Sequence, residues 1–341
     1  MGSSWISEVA TTVSGRLSQF FEEKQAEARE LSPHAPELTG AVADLTLRGG
    51  KRLRPCAAYA GFLGVCPKGD PERVWDAAAA LELLQTYLLI QDDWMDGDEE
   101  RRGGPSVHAA FAESQGDPVL GASLAILAAD LASGFAWELI ARAPFPTGRA
   151  REGVGAFARM HFEVVCGQQL DLIEYPDVAL THHLKSGSYT VRGPLQLGAI
   201  LGDGRREQLA ALSAVGQPVG VAFQLRDDLL GTFGDPEQTG KPSGNDLRAG
   251  KLTSLVAAAR VRLSKDEFKP IEAVLGARDA DDQAVSRAKE LLERSGARQQ
   301  VEGRLSELLR EASDALGAAG LDQAGATRLQ ELLQWLSIRE H

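Results

Sequence analysis

The sequence predicts an all-α protein, and three observations carry that reading. Apolar residues recur at helical spacing along most of the chain, as Val74, Ala77, Leu81, Leu84 and Leu88 do between Pro71 and Gln91, a stretch without glycine. No run of alternating β-branched residues bounded by hairpin turns occurs, and no strand-then-helix alternation points to a parallel sheet. No fixed-period repeat and no low-complexity linker divides the chain, so a single helical domain over residues 1–341 is expected.

In chain order, GGKRLRP from Gly49 to Pro55 reads as a glycine-led helix start. Pro71 to Gln91 follows as a helix with one apolar stripe. Asp117-Pro118 is an N-cap followed by proline at the first helical position, opening a helix that runs towards Arg142 and is stopped by Pro144 and Pro146. Further helices are expected at about Arg149 to Ile173, Leu184 to Leu201, Arg206 to Leu230 and Leu252 to Leu263, then in pieces to Ile338. The longest uncharged span, the 17 residues from Leu209 to Leu225, contains Gln217, Pro218 and Gln224. It therefore reads as a buried, kinked helix rather than a membrane span.

Composition narrows the function. A chain of 341 residues with 43% apolar content can bury a sizeable core. Its 48 acidic against 36 basic residues leave a net charge of −12, which argues against a general nucleic-acid binder. Cys56, Cys66 and Cys166 are odd in number and show no CxxC or Cys/His spacing, so neither a disulfide framework nor a zinc site is expected. The N-terminal MGSSWISEVATTVSGRLSQFFEEKQ has no basic stretch followed by an apolar core, so export is not expected and a cytoplasmic location fits.

The stretch QDDWMDGDEERRGG puts six acids within the nine positions from Asp92 to Glu100 and then turns basic. Carboxylates at a helix C-terminus meet the negative end of the macrodipole, at a cost of roughly 0.3–1 kcal/mol each, so something should compensate. Asp92 and Asp96, four apart on one face with Asp93 beside them, can share a divalent cation; magnesium suits, because it needs few protein carboxylates and completes its shell with water and phosphate oxygens. Arg101 and Arg102 then supply bidentate phosphate donors. A second cluster repeats the pattern: Asp227 and Asp228 end a long apolar helix, and a glycine-rich loop with Lys241 and then Lys251 follows. Lys51, Arg52 and Arg54 form a third basic group where backbone amides also favour anions.

GGKRLRP, DDWMD with RRGGPSVH, GQQLDL, and FQLRDDLLGTFGD with TGKPSGNDLRAGK resemble, in order and spacing, the motifs of the trans-isoprenyl diphosphate synthases, the polyprenyl synthetase family, over about Gly49 to Thr253. The resemblance implies an isoprenoid-synthase helical bundle around a deep central cavity, usually a homodimer. Three magnesium ions would bind together with an allylic diphosphate. The reaction it implies is ionisation of that diphosphate, attack by isopentenyl diphosphate and loss of a proton.

Carried over by position, Asp92 and Asp96 resemble the metal ligands of the first motif, and Asp227, with Asp228 as a helper, those of the second. Arg101, Lys185, Lys241 and Lys251 match positions that hold the allylic diphosphate, which the resemblance gives as dimethylallyl, geranyl or farnesyl. Lys51, Arg54, Gln85 and Arg102 match the isopentenyl diphosphate site. Gln168, Asp171, Ser186 and Gln224 match positions lining the reaction centre, together with Lys185. Three departures stand out: Gly231 replaces the third aspartate of the second motif, with Asp235 as the candidate substitute; Gln91 stands where many relatives have histidine; and QWLSIREH lacks a basic tail. His161, His182, His183 and His341 show no ligand spacing and read as structural or exposed.

Two rival functions share part of this pattern. A class I terpene cyclase needs an Asn/Asp, Ser/Thr, Glu motif, but the candidate at Asn245 has Ala249 and Thr253 at the other two positions. A non-catalytic subunit of a heteromeric synthase would be expected to lose aspartates that this chain keeps. For chain length, a tail anchored at Asp92 runs back along the same helix past Leu88, Tyr87 and Leu84, roughly 6–12 Å away at 1.5 Å per residue. The bulk of Tyr87, with no insertion in DDWMD, resembles short-chain enzymes, so geranylgeranyl diphosphate is the expected product and farnesyl diphosphate the alternative.

Overall fold

The computed structural model describes residues 4–235 and 243–337, and almost all of them are helical. The fold class is all-α, as the periodicity requires. The chain forms two compact units: one takes in the chain up to Ala158 with Pro194–Leu209 and Leu321–Leu332, the other Arg159–Gly193, Ala210–Gly320 and the remainder from Leu333.

In the first unit, α1 (Ser4–Leu31), α2 (Ala35–Leu47), α3 (Leu53–Val65) and α4 (Glu72–Asp96) lead to a short hairpin, then to α5 (Val107–Gln115) and α6 (Pro118–Arg142). α4 and α6 pack along one another, and both carry small buried side chains: Ala77–Ala80 on α4 and Ala125, Ala128, Ala129, Ala132 and Ala136 on α6. α4 carries on past Gln91 to Asp96, so all three aspartates of DDWMD lie inside the helix, which Gly97 closes in the left-handed region at φ 64. The Asp117 cap is as expected, its Oδ1 accepting from Val119 N at 2.8 Å and Leu120 N at 3.3 Å. α6 is the one helix among the described residues long and apolar enough to cross a membrane, a test that the core helix of a folded domain also passes.

The hairpin is a small departure from the all-helical expectation. Glu100–Arg101 and Gly104–Pro105 pair antiparallel around Arg102 (φ 53) and Gly103 (φ 72), the two positive φ values a two-residue type I′ turn demands. Strands of two residues show no alternation, so periodicity does not register them.

The second unit holds most of α7 (Ala150–Leu172), α8 (Val178–His182), a π-helix (His183–Arg192) and most of α10 (Arg206–Phe233). After the loop come α11 (Asn245–Arg248), α12 (Ser254–Arg262), α13 (Lys265–Glu272), α14 (Asp282–Arg294) and α15 (Ala297–Ala318). α9 (Gly193–Leu201) and α16 (Gln323–Ser337) contribute mainly to the first unit. Leu247, Leu255, Val256, Phe268, Ile271, Val285, Leu292 and Val301 form the second unit's core. Thr253, Ser264 and Asp281 each cap the helix that follows by accepting from a backbone N–H.

One expected helix divides. Leu184 to Leu201 is a π-helix to Arg192 and an α-helix after it, and the Gly193 N–H bonds back to Ser188 O, the five-residue step of a π turn. α10 runs unbroken through Pro218.

Candidate active site

In the first unit, the last two turns of α4 sort their acids by face. Asp93 is fully buried, and its Oδ1 accepts from Arg101 Nε at 2.6 Å. The same guanidinium faces Asp98 at 3.3 Å and Asp92 at 3.9 Å. Burial pushes the Asp93 carboxyl up to about 6, outweighing the pull of Arg101. Asp92 and Asp96, four residues apart, share a face and stay partly exposed. Arg101, which matches a phosphate-holding position by resemblance, spends its Nε on Asp93 in this structure.

The hairpin turn brings Arg102 back to the start of α3. Its Nη1 donates to Leu45 O at 3.2 Å, and its guanidinium lies so close over Gly50 that a Cβ there would meet Nη2 at 3.1 Å. Burial lowers the Arg102 pKa, and the neighbouring positive charges of Arg52, Arg54 and Arg101 lower it further. The guanidiniums of Arg52, Arg54 and Arg102, with Glu82 as the nearby acid, make a region of positive potential that an anion relieves. Lys51 is exposed beside it, and Gln85 and Arg54 are half-buried.

Arg52 plays a different part from its neighbours. It sits in the left-handed region at φ 47, is buried, donates from Nη2 to Thr46 O at 2.9 Å and pairs with the buried Glu82 through Nη1. That pair holds the strained turn presenting Lys51 and Arg54. Sequence reasoning missed Glu82. The signal was present, since Glu82 is the one charged residue between Asp76 and Asp92 on an otherwise uncharged run.

Burial raises the Tyr87 phenol, with Gln91 hydrogen-bonding to it and Asp130 of α6 adding to the rise. Leu84 is fully buried and Leu88 partly so. Gln91, the residue in the place of a common histidine, is thus the partner of the tyrosine expected to set chain length.

In the second unit, two glycines inside helices set the geometry. A Cβ on Gly167 would stand 2.2 Å from Lys185 N, so the GQQLDL segment of α7 lies directly against the π-helix. This brings Asp171 Oδ2 to 2.6 Å from Lys185 Nζ, with Gln168 half-buried on the same helix. A Cβ on Gly220 would be 2.5 Å from Gly187 Cα, so α10 also touches the π-helix. One turn on, Gln224 Oε1 accepts from Ser186 Oγ, and Gln224 Nε2 donates to Asp228 Oδ1 at 3.0 Å. Asp228 is buried; its Oδ2 accepts from Ser254 N at 2.9 Å and stands 3.6 Å from His182 Nε2. A histidine that the sequence separated from any acid therefore braces one of the expected metal-site carboxylates. Asp227, on the next position of the helix, stays partly exposed.

Lys251 is half-buried, its N–H bonded to Asp246 O at 3.0 Å, and Asp235 is exposed. Lys241 and His341 lie outside the described residues. Tyr189 is buried in the π-helix.

Among the described residues, no three His, Cys, Asp or Glu side chains come close enough to hold a metal ion unaided. Magnesium fits such a donor set: the groups are carboxylate oxygens, and this ion completes its shell with phosphate oxygens and water. The buried Asp93 Oδ2 has no hydrogen-bond partner among the described residues, although Oδ1 of the same carboxylate is held by Arg101.

The family model for polyprenyl synthetase matches residues 35–292. The chain is 34% identical over 264 residues to a short chain isoprenyl diphosphate synthase of Methanocaldococcus jannaschii, covering 76% of this chain and 77% of that protein. It is 32% identical over 306 residues to a geranylfarnesyl diphosphate synthase of Aeropyrum pernix, covering 87% and 92%. Among solved structures, a geranylgeranyl pyrophosphate synthase from Corynebacterium glutamicum, complexed with isoprenyl diphosphate and magnesium, superposes with a TM-score of 0.91 at 32% identity, covering 98% of this chain and 99% of that one.

Proposed function

This chain belongs to the polyprenyl synthetase family, and from that premise we propose that it is a magnesium-dependent trans-prenyltransferase that condenses isopentenyl diphosphate with an allylic diphosphate to a short-chain prenyl diphosphate. The observation that carries the reading is the partly exposed Asp92/Asp96 pair at the end of α4, with Arg101 3.9 Å from Asp92 and itself beside the positive group of Arg52, Arg54 and Arg102. Carboxylates for a cation and guanidiniums for an anion are the two halves of a metal–diphosphate site.

Magnesium, three ions on the family pattern, would neutralise the departing diphosphate. Asp92, Asp96 and Asp227 would hold it, while Asp228, spent on Gln224 and Ser254, would keep the end of α10 in place. Lys51, Arg54, Gln85 and Arg102 bind the isopentenyl diphosphate. Arg101, Lys185, Lys241 and Lys251 bind the allylic one, with the Arg101 guanidinium exchanging Asp93 for phosphate. The Ser186–Gln224 pair, together with Gln168 and Asp171, turns fixed dipoles towards developing positive charge. Purified protein given isopentenyl diphosphate, magnesium and each allylic primer in turn should extend at least one of them, read by chromatography of the dephosphorylated products. Failure to extend any primer would remove this reading.

The proposed product is geranylgeranyl diphosphate, with farnesyl diphosphate the alternative. Tyr87, buried and hydrogen-bonded to Gln91, would floor the tail's path. Tyr87→Ala should therefore shift the products by at least one isoprene unit; an active variant with unchanged chain length would assign the ring to packing alone. The enzyme is also read as a homodimer, supported by the exposed Leu120, Ile126 and Leu127 of α6 and Trp94 and Met95 of α4. Light scattering should give twice the chain's mass, and the single-chain mass would rule this out.

A further inference from the structure

The second unit holds a cavity of about 590 Å³ between α8, α10, α12 and α15. Folded interiors leave few voids larger than a water molecule, and a concave apolar space of roughly 300–1,000 Å³ is the usual form of a small-molecule site. Val178, Val221, Leu225, Ala258, Val301 and Leu308 give it aliphatic walls. It is separate from the candidate active site, since Gln168, Asp171, Lys185, Gln224 and Asp227 do not line it. The face of α10 decides this: Gly220 and Gln224 meet the π-helix, whereas Val221 and Leu225, each about 100° further round the helix, meet the cavity.

The polar groups of the lining are not equivalent. Ser254 and His182 are turned to Asp228, through Ser254 N at 2.9 Å and His182 Nε2 at 3.6 Å. Arg304 is answered by Glu307 at 3.1 Å and Glu311 at 2.9 Å. Arg262, at the far end of α12 from Ser254, donates Nη1 to Ala258 O at 3.3 Å and forms no ion pair among the described residues. Its guanidinium also stands at the start of α15, where a Cβ on Gly296 would lie 4.0 Å from Nε and the helix macrodipole is positive. An apolar chamber with one unanswered guanidinium beside a positive helix end is complementary to a hydrocarbon chain with a single anionic head.

We propose that this cavity binds a long-chain carboxylate, its tail between α10 and α15 and its head on Arg262. One planar guanidinium matches one carboxylate in a bidentate pair. A diphosphate carries more charge and calls for several cations, whereas Arg304 is already spent on two acids and leaves Arg262 to act alone. The site therefore takes a different class of ligand from the prenyl diphosphates of the proposed reaction.

Calorimetric titration of the full chain with decanoate tests this without any need for turnover. Wild-type protein should bind decanoate at one site and 1-decanol at least about tenfold more weakly, and Arg262→Gln should lose about the same factor for decanoate. Ala257→Phe, which puts a ring into the cavity from α12, should abolish binding. No binding by wild type, equal binding of the alcohol, or an unaltered Arg262→Gln would overturn the assignment. Binding retained by Ala257→Phe would place decanoate elsewhere, including the candidate active site, and would overturn it too. Should Ala257→Phe lower the melting temperature of the ligand-free protein, Val261→Trp decides, because Val261 lines the cavity yet is 87% exposed: lost binding supports the site, and retained binding overturns it.

Discussion

Asp92→Ala is expected to lower kcat/KM by several kcal/mol of transition-state stabilisation, about 10²–10⁴-fold, while the protein stays folded. The reason is the division of labour along α4. Asp93 points inward, fully buried and spent on Arg101, whereas Asp92 and Asp96 share a partly exposed face and are placed for a cation that diphosphate completes. On the proposed assignment, deleting Asp92 removes one of the two carboxylates on that face and leaves Asp96 alone to hold the ion there. Because Asp92 is not part of the buried core, the loss should appear in turnover and in the magnesium concentration needed, with little change in the melting temperature. Turnover near wild type, or full wild-type activity in excess chelator, would refute the metal assignment.

Glu82→Ala is expected to destabilise the protein by about 3–5 kcal/mol, the cost of leaving a buried guanidinium without its counter-charge. Arg52 and Glu82 are each almost wholly enclosed, with side-chain exposures of 1% and 3%. Against a typical domain stability of roughly 5–15 kcal/mol, that is a large fraction, and urea unfolding would read it directly. The double variant Arg52→Met/Glu82→Leu should recover much of the loss, because it removes the stranded charge along with its partner. A cost below about 1 kcal/mol for Glu82→Ala would mean that water reaches Arg52. Function should register as well: with Arg52 no longer held at positive φ, the turn bearing Lys51 and Arg54 loosens, and KM for isopentenyl diphosphate should rise more than KM for the allylic substrate.

Helical spacing, the Asp117 cap and the prolines after Arg142 were enough for the all-α class, because these signals are local and each acts within a turn or two of its own residue. The paired aspartates and trailing basic residues were likewise legible, since metal and phosphate chemistry needs those side chains at those spacings. Partnership was not legible. Nothing in the order of residues says that Asp93 takes Arg101, that Glu82 takes Arg52, or that His182 stands against Asp228. Those pairings depend on which helix faces turn inward, and burial alone makes an uncompensated charge costly enough to select a partner from a distant part of the chain. The π-helix is another decision of packing, made where Gly167 and Gly220 let two helices touch the backbone around Lys185 and Gly187. So is the placement of Asp246, whose Oδ2 a Cβ on Gly231 would meet at 1.9 Å, because α11 is anchored by Leu247 and Arg248 rather than by anything in the motif itself.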